Sequence, residues 1–126
     1  MSRLLVVIDA ANVIGSVPDG WWRDRRGAAV RLRDRLVPCA EGGLVGYPGP
    51  LDLLLVVEGA ARGVESVDGV RVDSADGSGD DRIVELVAAH TGSGECLVIT
   101  ADRELRGRVG ALGAQCAGPR TVPRGG

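Results

Sequence analysis

Three short apolar runs, Leu4–Ile8, Leu53–Val57 and Leu97–Ile99, carry no polar residue at alternate positions. A strand with one wet face alternates in polarity. A strand covered on both faces does not, and unbroken cover is the mark of a parallel sheet held between helices. Each run is far too short to cross a bilayer. A further strand is expected at Val70–Val72 with its flanks, and a weaker fifth at Gln115–Ala117, just before Gly118-Pro119.

Helical patterns fill the intervals. Trp22–Leu36 carries Ala29, Val30, Leu32 and Leu36 among arginines and aspartates, the stripe of an amphipathic helix. Asp80–His90 carries Ile83, Val84, Leu86 and Val87, and Arg103–Leu112 carries Leu105, Val109 and Leu112, with Gly113 placed as a C-cap. The Gly- and Pro-rich stretch from Pro38 to Pro50 reads as a loop. Strands alternating with helices predict an α/β fold: a three-layer α/β/α sandwich around a mostly parallel five-stranded sheet, with right-handed crossovers. The 126 residues suffice for one domain. It is expected over residues 1–118, with a flexible C-terminal tail over 119–126.

The residue types that are missing exclude whole chemistries. All 15 basic residues are arginine, so there is no P-loop lysine, no Schiff base and no lysine to accompany a phospho-aspartate. His90 is the one histidine, which excludes a His-rich zinc site. Cys39, Cys96 and Cys116 show no C-x-x-C spacing and read as reduced thiols. With no signal-like segment, the expected location is cytoplasmic, without a membrane. Catalysis by such a chain would rest on its 17 carboxylates. The net charge of −2 and pI near 5.3 weigh against nonspecific nucleic-acid binding. They leave room for an acidic pocket neutralised by metal.

Ligands of an open parallel sheet bind beyond the carboxyl ends of its strands. The first strand ends in Asp9, followed by Ala10, Ala11 and Asn12; the second ends in Glu58-Gly59; the fourth ends in Thr100-Ala101-Asp102. The helix after the third opens with Ser78-Gly79-Asp80-Asp81. Asp81 also fits a near capping box with Ser78, and Asp102 fits an N-cap for the helix at Arg103. Asp9 is harder to explain by capping, because it follows a buried run where a lone carboxylate is costly. Asp80 precedes Ile83 and Val84 by three and four residues, so it shares the sheet-facing stripe and is a better ligand than Asp81. Carboxylates gathered at one edge need a cation. Oxygen donors suit Mg²⁺ or Mn²⁺, and such an ion supports hydrolysis at phosphorus. A haloacid-dehalogenase-type phosphatase wants an acid where Ala11 stands, and a dinucleotide fold wants glycines where Asp9-Ala10-Ala11-Asn12 stands.

The segment Ile8-Asp9-Ala10-Ala11-Asn12-Val13-Ile14-Gly15-Ser16-Val17-Pro18 resembles the opening motif of YacP-like NYN domains, a branch of the PIN-like ribonucleases. Gly79-Asp80-Asp81-Arg82-Ile83-Val84-Glu85 is similar to their central acidic helix start, and Val98-Ile99-Thr100-Ala101-Asp102-Arg103-Glu104 to their third motif. Order and spacing agree from about Leu4 to Pro119. The resemblance implies a PIN-like sheet in the order 3-2-1-4-5 and a metal-dependent endoribonuclease active on single-stranded RNA. It implies Asp9, Asp80 and Asp102 as metal-binding acids and Asn12 as the asparagine that helps hold the site; Asp81, close by in the chain, is read as a fourth candidate metal ligand. PIN-like domains often pair, so a homodimer is a further expectation, although no seam is legible in the sequence.

For RNA contact the candidates are Trp22 and Arg23 at the start of the first long helix, and Arg62 and Arg103 beyond strand ends. Guanidinium forks suit phosphates and indoles stack on bases. Arginines on such a helix equally suit a solvated face, and Arg62 has Glu65 nearby as a partner. Two rival readings are a non-catalytic RNA- or partner-binding module of the same fold, and a metal-dependent phosphatase.

Overall fold

The computed structural model describes residues 3–124. Five strands, β1 (Leu4–Asp9), β2 (Leu51–Val57), β3 (Val70–Ser74), β4 (Cys96–Ile99) and β5 (Gln115–Ala117), form one sheet in the order β3-β2-β1-β4-β5. Every pairing is parallel. The central strand β1 pairs Ile8 with Leu55 on one side and with Ile99 on the other.

The lack of alternation in the runs now has its cause. Val6, Ile8, Leu53, Leu55, Val57, Leu97 and Ile99 pack on one face, and Leu5, Val7, Leu54, Val56, Cys96 and Val98 on the other. The first face is covered by α1 (Ala10–Gly15), α2 (Arg25–Leu36) and the short α3 (Cys39–Gly42); the second by α4 (Gly79–His90) and α5 (Arg103–Gly110). Each fully buried Leu or Ile contributes roughly 1.5–3 kcal/mol. Among the described residues, no helix is long and apolar enough to cross a membrane.

Four details differ from expectation. The helix expected from Trp22 breaks at Asp24, where a 3₁₀ turn over Trp21–Arg23 ends. The Asp24 carboxylate accepts the Gly27 N–H at 2.9 Å and restarts the chain as α2, because an aspartate serves better as a cap than inside a helix. Helix α1 falls where only a motif was read. It has six residues, too short for periodicity to reveal. The loop from Pro38 contains α3, which buries Cys39 and Ala40.

The fourth detail is the tail. A 3₁₀ turn over Pro119–Thr121 brings Val122 into the first core, where it is 3% exposed. Arg35 donates to the Pro123 carbonyl at 3.2 Å. Ordered packing thus continues past residue 118, while residues 125 and 126 of the expected tail lie outside the described residues. Val122→Ala should therefore cost about 1–3 kcal/mol in urea unfolding; a freely frayed end would cost nothing.

Candidate active site

All the strands point their carboxyl ends the same way, so the turns after β1, β2 and β4 and the start of α4 meet at one edge. Asp9 is the last residue of the central strand and is 4% exposed. Its Oδ1 accepts the Asn12 N–H at 3.4 Å, capping α1, and its Oδ2 accepts the Thr100 hydroxyl at 2.9 Å. Burial pushes the Asp9 carboxyl up from 3.8 to about 6, aided by the charges of Asp80 and Glu58 and opposed by those two hydrogen bonds.

Thr100 ties the acids together. Fully buried just after β4, its hydroxyl accepts the Asp102 N–H at 3.2 Å while donating to Asp9. The Asp102 carboxylate in turn accepts the Leu105 N–H at 3.0 Å and caps α5. The Asn12 side-chain oxygen accepts the Ala101 N–H at 2.8 Å, fastening α1 to the same turn.

Asp80 is half-buried in the first turn of α4. Burial raises its carboxyl above the ordinary value, and the charges of Asp102, Glu58 and Glu104 raise it further, against the pull of Arg108. Glu58 follows β2 and accepts the Gly79 N–H at 3.0 Å. A Cβ on Gly79 would stand 2.9 Å from the Glu58 carboxylate, so a larger residue there would push that side chain off the Gly79 amide. Gly59, at φ +57°, turns the chain directly after Glu58.

The structure thus brings Asp9, Asp80 and Asp102 to one edge, with Asn12 beside them, and adds Glu58. It places Asp81 outside this group. The Asp81 carboxylate pairs with Arg108 at 3.0 Å on the exposed side of α4, and its N–H is capped by Ser78. Among the described residues, no three His, Cys, Asp or Glu side chains stand close enough to hold an ion between them as placed. The donor set is all oxygen, which suits a hard divalent cation, and its carboxyls at Asp9 and Asp80 are raised by burial first and by the charge of neighbouring carboxylates second. Mg²⁺ takes one or two carboxylates and keeps several waters, a demand this looser set can meet.

The four residues read as RNA contacts fare differently. Arg62 spends its donors on the Gly59 and Asp76 carbonyls, at 3.3 and 3.4 Å, and forms no pair with Glu65. Arg103 lies exposed at the first position of α5. Trp22 is 53% exposed, with Arg23 5.9 Å above its ring. Trp21 meets Trp22 edge to face at 5.9 Å and carries Arg25 at 5.3 Å. Other α2 arginines pin loops: Arg26 holds the Arg62 and Gly63 carbonyls and Arg33 the Glu65 carbonyl.

Thr100 is the residue the sequence hid, since a threonine ending a strand is ordinary. Its only signal was its place two residues before Asp102.

A parallel sheet in this order, sandwiched between helices, gives the chain a YacP-like fold. The structure is similar to that of Rae1 (YacP) from Bacillus subtilis, as the W164L mutant, with a TM-score of 0.74 and 18% identity over 94% of this chain and 72% of that one. A second Rae1 (YacP) structure from Bacillus subtilis gives 0.73 and 16% identity, over 96% and 71% of the two chains. No family model matches the sequence, and no curated protein matches it.

Proposed function

We propose that the chain is a PIN-like, metal-dependent endoribonuclease that hydrolyses phosphodiester bonds of single-stranded RNA. The observation that carries this reading is the meeting of Asp9, Asp80, Asp102 and Glu58 at the carboxyl edge of a YacP-like sheet. Asp9 and Asp80 would hold Mg²⁺ or Mn²⁺, with Asp102 and Glu58 completing the negative surround. Such an ion, when bound, supplies the Lewis acidity that phosphodiester hydrolysis needs. The chain's own part is to position and to exclude. Thr100 fixes the Asp9 carboxylate and the Asp102 backbone through one hydroxyl, Asn12 locks the α1 end to the same turn, and the buried strand end keeps water from the back of Asp9.

The test is cleavage of a labelled single-stranded RNA with Mn²⁺. Asp9→Asn and Asp102→Asn should each lower the initial rate at least about a hundred-fold, the usual scale for losing a polar group that acts on the transition state. Unchanged rates in a clean preparation would defeat the assignment.

One observation favours a binding-only module instead: among the described residues, no three acids are preassembled around one point. That reading expects RNA binding that persists in EDTA and no turnover in Mn²⁺. A phosphatase would hydrolyse nitrophenyl phosphate faster than RNA.

A further inference from the structure

A cavity of about 360 Å³ opens beside the acids. Its lining is apolar along Ala11, Ile14 and Val57 and includes Trp21, Arg25 and Glu58. Glu58 belongs to both places, because its charge also acts on Asp9 and Asp80. The cavity therefore adjoins the proposed site of cleavage.

We propose that this cavity is a nucleobase subsite, which takes one base of the RNA beside the scissile phosphate and prefers a base with an exocyclic amine. The inference rests on the reading that RNA is the substrate. An indole supplies a face for stacking that any base can use. Arg25 already lies over the Trp21 ring at 5.3 Å, and its planar guanidinium can stack on a base or reach a phosphate. The carboxylate of Glu58 only accepts hydrogen bonds. It therefore selects bases that donate at their edge, as acidic residues do toward the cytosine amine. Adenine, cytosine and guanine all present such an amine, guanine with an N1–H donor beside it; of the four bases only uracil lacks one. The edge donor of uracil, N3–H, is flanked by two carbonyl oxygens that would face the carboxylate.

The experiment is fluorescence anisotropy in EDTA, where no cleavage intervenes, with labelled octamers of A, C and U. The parent should bind the A and C octamers more tightly than U. Trp21→Ala should weaken binding about ten-fold or more, as loss of one stacked base does. Ala11→Leu, which fills the cavity from an exposed helical position, should weaken it similarly. Glu58→Gln should narrow the gap between U and the other two, because its amide both donates and accepts.

If Trp21→Ala and Ala11→Leu both bind as the parent does, the subsite is overturned. Parallel assays in Mn²⁺ separate the two readings. A parent that cleaves while both variants bind normally retains the ribonuclease reading and loses the subsite. A parent whose binding depends on Trp21 but which never cleaves retains the subsite and loses the ribonuclease reading. No RNA binding by the parent removes both.

Discussion

Asp9→Asn should be more stable than the parent at pH 8 by about 2–3 kcal/mol and equally stable near pH 4. The Asp9 carboxyl rises from 3.8 to about 6 in the fold, mainly through burial, and each unit is worth roughly 1.4 kcal/mol. Between these two values the folded chain holds the proton that the unfolded chain has lost. The contribution of Asp9 is therefore full below its unfolded value and is lost as pH rises through about 6. Asparagine mimics the protonated acid and escapes that loss. Urea unfolding at pH 4 and pH 8, in EDTA, reads the difference. An equal gap at both pH values would mean that Asp9 does not titrate as its burial requires. Added Mn²⁺ should then stabilise the parent and leave the variant unmoved, since only a cation that binds the native state shifts the equilibrium. The same substitution should abolish cleavage, so stability and activity would move in opposite directions.

Thr100→Val should act oppositely. It keeps the shape of a fully buried side chain but strips Asp9 of a hydrogen bond at 2.9 Å and the Asp102 N–H of one at 3.2 Å. A hydrogen bond to a charged group contributes roughly 1.5–3 kcal/mol, and a buried group left without a partner adds its own penalty. Urea unfolding at pH 8 should therefore show a loss of about 2–4 kcal/mol, and the loss should shrink near pH 4, where Asp9 is protonated. RNA cleavage should fall at least about ten-fold, because two acids lose their common anchor. Thr100→Ser should restore most of both. A Thr100→Val protein that retains full activity would show that the acids need no such tie.

The sheet was legible because packing on both faces leaves an unmistakable trace: Leu53–Val57 could hardly face water on either side. Helix α1 was not legible, because six residues are fewer than two turns and show no repeating apolar stripe. Its start is fixed by the Asp9 carboxylate, which caps it through the Asn12 N–H, and by the Asn12 side chain, which accepts the Ala101 N–H of the turn after β4. The choice of Asp80 over Asp81 followed from helical phase alone; in the structure Asp81 turns outward to Arg108 while Asp80 is half-buried. The arginines were less readable. Whether Arg62 or Arg26 faces solvent or clasps a distant carbonyl depends on loops that meet only in three dimensions. Glu58 could be placed at the right edge from its position after β2, but its bond to the Gly79 amide belongs to the tertiary fold.

The two outermost strands set a limit on self-association. At one margin β5 is only three residues long. At the other, β3 carries Arg71 and Asp73, each engaged with a charged neighbour, Asp52 and Arg82. Short or charged borders resist continuation of the ladder by a second molecule. Edge-to-edge extension of the sheet past five strands is thereby disfavoured, and helical and loop surfaces are left as the less costly places for contact.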